Sequence, residues 1–445
     1  MIKEDYVMKK LLHLSALFAL LRAVISAFPD PRTGKNCHYS MATLGMTAFF
    51  TFFLQSPSFR SHEKYLKQLA RNGNAARVLH LDEIPCANQV RGVLDTVAPE
   101  HLLPVHDEIF RRLDRSGLLQ QLRGFGSDLL IPLDGTHYFS STTIHCQNCS
   151  TTTHQDGSVT YSHTAILPAI VMPGEPFALP LAPEFVTPQD GHTKQDCETA
   201  AAKRWMSDFR CHHKTVAVTL LGDDIYAKQP MCETALEHRF NVIFVCKPGS
   251  HTTLFARIAE LQRANALQTK TVRIFRKGRW EVDYYRWAHD VPLRAGDDAL
   301  HVQWIEITTA VDTTGEIVYQ NSFITNHAIT ADNAEMVVAA GRSRWKIENE
   351  EHNTLKNHGY NLTHNYGHGQ QFLSSLLVCL MCLAFAMHTL RDLAQGTFSR
   401  LRTGLPSRRE VFTDCKALLR YLAFETLHQV FAFMVAQLDR DYAPG

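Results

Sequence analysis

Three acidic residues are the part of this sequence best suited to carry out chemistry. Asp134 and Asp223 each end an apolar run typical of a buried strand, and Glu348 lies in a charged segment with helical spacing, RSRWKIENEEHNTLK. In an open α/β sheet, ligands collect at the carboxyl ends of the strands. Three carboxylates that met there could hold two Mg²⁺ or Mn²⁺ ions about 3.5 to 4 Å apart, which is the apparatus of phosphodiester chemistry. Taken one at a time, such residues are commonly turn caps, helix caps or solvated side chains.

Four further residues, Cys146, Cys149, His154 and His163, have the side chains of a zinc site. The two cysteines form a Cys-x-x-Cys pair, which is half of a tetrahedral site, and the two histidines could complete a Cys₂His₂ set. The spacing of the histidines is irregular, and the chain contains 24 histidines and 11 cysteines. Reduced structural thiols are therefore the alternative interpretation.

Basic and aromatic residues indicate where a polyanion such as DNA could bind. Arg344, Glu348 and His352 share one helical face at positions i, i+4 and i+8, so a guanidinium that can fork a phosphate lies one turn from the acidic residue. The most basic short tract is TKTVRIFRKGR, which contains no acidic residue. The candidates for phosphate or base contact are Arg344, Trp345, His352, Lys356, Lys247, Lys203, Arg204, Arg273, Arg276 and Lys277. The alternatives are an ordinary solvated surface for the charges and a core position for the tryptophan.

The elements that would position these residues are predicted from hydrophobic periodicity. Residues 1–125 show helical spacing and turns, which predicts an α-helical N-terminal region. The order in 126–356 is three strands, helix, strand, helix, strand and a last helix, with a β-rich insertion at about 265–327. That order is typical of a ribonuclease H-like α/β domain. Residues 357–445 are again predicted to be helical.

Composition and charge restrict the class of protein. The chain has 445 residues, 45% of them hydrophobic and 20% charged, with a net charge of +1, which excludes a disordered protein and is typical of a globular one. Basic and acidic residues number 16 and 11 in 1–125, 20 and 27 in 126–355, and 9 and 6 in 356–445. Basic flanks around an acidic centre fit a protein that holds a polyanion with its ends and cations in its middle, although local fluctuation gives the same pattern.

The cellular location is predicted from the cysteines and from one apolar segment. The cysteines are odd in number and scattered, and Glu4 and Asp5 stand where a signal peptide is positively charged, which predicts an intracellular protein. The stretch from Phe372 to Leu390 is long enough to cross a bilayer. Its serine, histidine and threonine residues and the lack of a flanking basic cluster favour a buried helix instead.

In these residues and their order, the sequence resembles the DDE transposases of bacterial insertion sequences, in the branch with a β-rich insertion before the final glutamate. The resemblance covers most of the chain. The family's first acid matches Asp134, the second matches Asp223 with Tyr226 three residues later, and the third matches Glu348 with Arg344 four residues before it. The strongest segments are LLIPLDGTHYFSS, QDGHTKQDCETAAAKRW, LLGDDIYAKQP, FITNHAITADNAEMV and RSRWKIENEEHNTLKNHGYNLTHNYGHG.

The sequence departs from the family signature of Tyr, two residues, Arg, three residues, Glu, six residues, Lys. Gly341 stands at the tyrosine position and Leu355 at the lysine position, with Lys356 one residue later. The family's roles for that tyrosine and lysine therefore do not carry over directly.

The resemblance implies a DNA transposase in which Asp134, Asp223 and Glu348 bind two Mg²⁺ or Mn²⁺ ions. Such an enzyme cleaves the transposon ends and joins the 3′-hydroxyl to target DNA. The implied partners are the DNA ends, the target DNA and further copies of the chain, in a homodimer or higher oligomer assembled on DNA. The implied location is the bacterial cytoplasm, near the nucleoid and with no membrane partner. Two alternatives stay open, an inactive or domesticated DNA-binding relative and a structure-specific nuclease on the same fold.

Overall fold

A computed structural model describes residues 11–34, 37–188, 197–394 and 396–441, which form α-helices and β-strands in a mixed α/β arrangement. The helices are α1 (Leu14–Ser26), α2 (Met41–Phe53), α3 (Phe59–Arg71), α4 (Asn74–Leu79), α5 (Ala87–Leu94), α6 (Leu103–Arg115), α7 (Leu118–Gln121), α8 (Glu198–His212), α9 (Gln229–Glu237), α10 (Thr252–Arg263), α11 (Ala334–Arg342), α12 (Asn353–Asn357), α13 (Leu373–Ala394), α14 (Gly396–Gly404), α15 (Arg408–Tyr421) and α16 (Leu427–Asp441). A 3₁₀ turn (Pro99–Leu102) precedes α6, and a π-helical turn (Ile347–His352) runs directly into α12.

The N-terminal and C-terminal helices pack together around two apolar helices. Helix α2, MATLGMTAFFTFF, is buried along almost its whole length, and its N-terminus is capped by Ser40, whose hydroxyl accepts a hydrogen bond from the Thr43 backbone N–H at 3.1 Å. Helix α13 packs against α2. The apolar window of α13 is 89% buried, so this helix has the burial of a core helix in a soluble protein.

The central sheet has seven strands in the order β1-β8-β9-β13-β12-β11-β10. Strand β1 pairs parallel with β8, and β8 pairs parallel with β9, whereas the last four strands form an antiparallel meander that joins the sheet through β13. The strands are β1 (Leu129–Pro132), β8 (Val218–Gly222), β9 (Asn241–Val245), β10 (Gln268–Arg276), β11 (Arg279–Pro292), β12 (His301–Val311) and β13 (Ile317–Thr325). The meander spans 268–325, within the range 265–327 that the sequence predicts for a β-rich insertion.

A second, antiparallel sheet continues from the first across Asp134. Strand β1 is separated from β2 by only two residues, and β2 pairs with β4, which also pairs with β3 and β7. A bridge between Leu130 and Val171 ties β1 to the same layer. The strands are β2 (Gly135–Ser141), β3 (Ser150–Thr153), β4 (Val159–Ile166) and β7 (Glu184–Val186), and β5 (Ala169–Ile170) pairs with β6 (Leu179–Pro180).

The predicted α/β class is confirmed, and the sheet is mixed as the element order requires. Buried strands β1, β8 and β9 come from the continuous apolar runs, because strands covered on both faces need no polar alternation. The predicted helix before β8 begins at Glu198, and the residues of its segment from 189 to 196 lie outside the described part of the chain.

Candidate active site and metal ligands

Asp134 and Asp223 lie at the same edge of the sheet. The parallel register of β1 and β8 ends with Pro132 opposite Leu221, and each aspartate comes two residues after its member of that pair. The Leu133 N–H donates to the Leu221 carbonyl at 2.8 Å, so the two strands stay together up to the acids. Adjacent strands lie about 4.8 Å apart, which brings the two carboxylates side by side.

Glu348 lies on the π-helical turn that follows α11. The Arg344 Nη1 forms an ion pair with the Glu348 Oε1 at 2.8 Å, and Arg344 is only 8% exposed. The Cζ atom of the Arg344 guanidinium also lies 5.2 Å from the centroid of the Trp345 ring, and this tryptophan is 51% exposed. Turns of π-helix are frequent at functional sites, where the extra residue changes the direction of a side chain.

Electrostatics places Asp134 at the centre of the acidic group. Burial, together with the charges of Glu198, Glu348 and Asp223, raises the pKa of Asp134 to about 7, and the charge of Arg344 opposes this shift. Asp134 therefore lies close enough to Asp223 and Glu348 for the charge of each to affect its pKa. The group carries more negative charge than Arg344 compensates.

Glu198 is a fourth acid of the site, and the sequence patterns do not single it out. It is the first residue of α8, and its Oε1 accepts hydrogen bonds from the Gly135 N–H at 3.1 Å and the Tyr226 hydroxyl at 2.7 Å. A Cβ atom on Gly135 would lie 2.5 Å from the Glu198 Oε2, so any larger residue there would displace this carboxylate. Similarly, a Cβ on Gly222 would lie 2.7 Å from the Tyr226 Cβ, and its absence lets this tyrosine reach Glu198.

Asp224, the neighbour of Asp223, has a different set of contacts. Its Oδ1 accepts the Lys247 backbone N–H at 2.7 Å, and its carboxylate also binds the Ser250 hydroxyl. The His251 Nε2 lies 3.3 Å from the same carboxylate. Asp224 therefore anchors the loop between β9 and α10, and Asp223 faces the acidic group.

Two residues that follow Glu348 on the same turn, Glu351 and His352, are buried. The Nδ1 of His352 lies 3.7 Å from the Asp134 Oδ2, and burial, with the charges of Lys356 and Arg344, lowers the His352 pKa to about 3. Glu351 is fully buried, and neither of its carboxyl oxygens has a hydrogen-bond partner among the described residues. Burial raises the pKa of Glu351 well above its usual value, and the charge of Asp134 adds to this.

We expect Glu351→Gln to stabilise the protein at neutral pH. When folding raises the pKa of an acid, that acid lowers the free energy of unfolding as the pH rises above its unfolded pKa. The loss is about 1.4 kcal/mol for each pH unit until the folded pKa is reached. The amide of glutamine has the same shape and does not titrate, so the gain in unfolding free energy should grow from pH 5 to pH 7.5. Urea unfolding at both pH values measures this, with Glu350→Gln as the control. Equal gains at both pH values would contradict the prediction.

The packing of α11 explains one departure from the transposase signature. Gly341 faces the sheet, where a Cβ atom would lie 2.7 Å from the Phe323 ring and 3.1 Å from Ile243. No tyrosine can occupy this position without moving the helix. Leu355, at the lysine position, is fully buried, and Lys356 is partly exposed beside it.

The predicted sulfur and histidine ligands come together in part. Cys146, Cys149 and His163 converge, and the fourth member of the group is His368, from the segment before α13. His154 is not in this group, because it lies exposed in the turn between β3 and β4 and its Nε2 is hydrogen-bonded to the Thr160 hydroxyl at 2.8 Å. The sequence offers no local signal for His368, which lies 219 residues beyond Cys149.

The predicted DNA-binding residues fall into two groups by their surroundings. The exposed or half-exposed ones are Trp345, Lys247, Lys277, Lys203, Lys356 and Arg273. The others are held by the protein: Arg204 donates to Glu184 at 2.8 Å, Arg276 to the buried Asp283, and Arg344 to Glu348, while His352 is buried.

The β10–β11 hairpin presents basic and aromatic side chains at the edge of the central sheet. Lys277 and Gly278 form its two-residue turn, both with positive φ. Arg273 lies over the ring of Trp280 at 4.4 Å and donates to Asp312 at 2.6 Å, and its side chain is 57% exposed. Phe275, 58% exposed, contacts Trp280 edge to face. Exposed rings next to cations are typical of surfaces that bind single-stranded nucleic acid.

No model of a known protein family matches the chain, and no curated protein matches it.

Proposed function

We propose that this protein is a DNA transposase of the DDE type, with a ribonuclease H-like catalytic domain at 126–356. In this proposal Asp134, Asp223 and Glu348 bind two divalent metal ions. The enzyme cleaves DNA at the transposon ends and joins the ends to target DNA, as an oligomer assembled on DNA in the bacterial cytoplasm. The observation that carries the proposal is the electrostatic interaction of Asp134 with Asp223 and Glu348, which are far from it in the sequence.

The strand arrangement supports the proposed fold. Strand β2 pairs antiparallel with β4, and β1, which precedes β2 by two residues, pairs parallel with β8, which pairs parallel with β9; α8 and α9 lie in the connections. In this fold the two aspartates at the strand ends and the glutamate on the helical turn after α11 would meet at the carboxyl edge of the sheet, where α/β proteins bind ligands.

The donor set fits a pair of hard cations. Burial and the charges of three further carboxylates, including Glu198, raise the pKa of Asp134 to about 7. Mg²⁺ and Mn²⁺ prefer oxygen ligands such as carboxylates, and here the carboxylates outnumber the cationic side chains near them. When bound, two such ions would activate the attacking oxygen and stabilise the leaving oxygen of a phosphodiester.

The chain's own residues would hold the DNA around this centre. Arg344 keeps Glu348 in place through an ion pair, and the exposed ring of Trp345 beside it offers a stacking surface for a base. Lys247 is exposed in the loop that Asp224 anchors at the same edge of the sheet, within reach of a DNA backbone that enters the site.

Cleavage and joining assays with the DNA that flanks the gene test the proposal. A labelled duplex carrying one gene-flanking end should be cut in the presence of Mg²⁺, and a supercoiled plasmid added as target should acquire the labelled end. Cleavage without joined products would favour the structure-specific nuclease, and end binding without cleavage would favour the inactive relative. Equal cleavage of a duplex with a scrambled end sequence would contradict a transposase.

A further inference from the structure

We propose that Cys146, Cys149, His163 and His368 form a structural zinc site that fastens the segment before α13 to the β2–β4 sheet. All four ligand atoms lie within 4.8 Å of one another. Cys149, His163 and His368 are buried, and Cys146 is partly exposed. This site is separate from the acidic group and does not depend on the proposed DNA chemistry.

The distances between the ligand atoms match a tetrahedron around one zinc ion. With Zn–S near 2.3 Å and Zn–N near 2.05 Å, tetrahedral edges are about 3.8 Å for S–S, about 3.6 Å for S–N and about 3.3 Å for N–N. The two sulfurs are 3.9 Å apart, and the two histidine Nε2 atoms are 3.0 Å apart. The His163 Nε2 lies 3.6 Å from the Cys146 sulfur and 3.4 Å from the Cys149 sulfur, and the His368 Nε2 lies 3.4 Å from the latter.

Hydrogen bonds around the group orient the ligands as a metal requires. The His368 Nδ1 lies 2.9 Å from the Gly369 carbonyl and donates to it, which leaves the Nε2 lone pair facing the sulfurs. The Cys146 backbone N–H donates to the Cys149 sulfur at 3.4 Å, which holds this sulfur within the group. The sulfur separation of 3.9 Å is far from a disulfide bond of about 2.05 Å.

The segment before α13, which carries His368, is also held by hydrogen bonds to Asp95 and Asn148. These contacts indicate that a zinc ion there would have a structural role. Asp95 accepts backbone hydrogen bonds from Gln370 at 2.8 Å, Gln371 at 3.1 Å and Leu373 at 3.0 Å, and the Asn148 amide donates to the Gln371 carbonyl at 2.7 Å. A Cβ on Gly369 would clash with the Asp95 Oδ1, so glycine permits this approach. The zinc would complete a junction of the N-terminal helices, the β-hairpin and the start of α13.

The proposed zinc site joins two segments of the chain, one that follows Asp134 and one that follows Glu348. Asp134 leads directly into β2, and the loop from β2 to β3 carries the cysteines, whereas the chain after the turn with Glu348 leads to His368. Four protein ligands leave no open coordination position, which is typical of a structural zinc ion and not of a catalytic one.

Metal analysis of the full-length protein tests this site directly. Protein purified with ZnSO₄ and then gel-filtered should contain about one zinc per chain by mass spectrometry. His368→Ala should lose most of that zinc, whereas His154→Ala, the matched control at the first histidine after the cysteine pair in sequence, should keep it. A metal-free wild type, or equal zinc in both variants, would overturn the proposal.

A second measurement uses the wild type and so does not require a variant to fold. Exchange of zinc for Co²⁺ should give the visible bands of a tetrahedral cobalt ion together with near-ultraviolet sulfur-to-cobalt absorption. A cobalt spectrum without the sulfur band would contradict the cysteine ligands. The Asp134→Asn variant, inactive under the proposed function, should still bind one equivalent, so failure of the zinc site and failure of the transposase proposal are distinguished.

Discussion

Asp134→Asn is expected to reduce Mg²⁺-dependent DNA cleavage by about 100-fold or more and, at the same time, to raise the melting temperature. The first effect follows because the proposed metal ions lose an anionic ligand at the reacting phosphate. The second follows because partial burial and the neighbouring acids raise the pKa of Asp134 to about 7, so a neutral amide removes a desolvation cost and a repulsion. Single-turnover cleavage of a labelled end and thermal unfolding without metal measure the two effects.

Asp223→Asn and Glu348→Gln should lose cleavage to a similar extent while end binding remains, because affinity comes mainly from basic residues elsewhere. Asp224→Asn is the matched control. It weakens the anchor of the Lys247 loop and should lower stability, yet substantial cleavage should remain at a temperature where the variant is folded. An active Asp223→Asn beside an inactive, folded Asp224→Asn would show that the metal ligand is the other neighbour.

The acids at strand ends could be predicted from sequence because the signal is local. LLIPLD and TVAVTLLGD are typical of buried strands, and parallel pairing then brings Asp134 and Asp223 together. Glu198 begins a helix, and its link to the site, a hydrogen bond from the Gly135 N–H, spans 63 residues. The position of a helix start relative to a sheet is fixed by tertiary packing, which periodicity does not encode.

The group of two cysteines and two histidines also shows what spacing in the sequence cannot predict. Spacing on the hairpin favours His154 because it lies near Cys149 in sequence, and the turn between β3 and β4 directs that ring to Thr160 instead. His368 reaches the cysteines only because the N-terminal helices hold its segment through Asp95. A ligand contributed from so far along the chain has no spacing pattern to detect.

The basic hairpin tract divides into a structural residue and surface residues, and Arg276 is expected to be the structural one. Its guanidinium donates to Asp283 at 3.0 and 2.6 Å, and Asp283 is fully buried. Arg276→Ala should lower the free energy of unfolding by about 2 kcal/mol, less than the roughly 3–5 kcal/mol of a fully enclosed pair, because Thr309 and Tyr285 still donate to Asp283. Urea unfolding measures the loss, and a change below about 0.5 kcal/mol, typical of an exposed ion pair, would contradict it.

Arg273 and Lys277 give the opposite expectation on the same hairpin. Arg273 pairs with the partly exposed Asp312 and is itself 57% exposed, so Arg273→Ala with Lys277→Ala should change stability little. If this face binds DNA, the double variant should reduce the slope of log affinity against log salt by about 0.9 for each phosphate that the protein no longer neutralises, measured by fluorescence anisotropy. An unchanged slope would mean that the rings of Phe275 and Trp280 and their neighbouring cations form an ordinary surface. A stability loss as large as that of Arg276→Ala would mean that the pair with Asp312 holds the hairpin together.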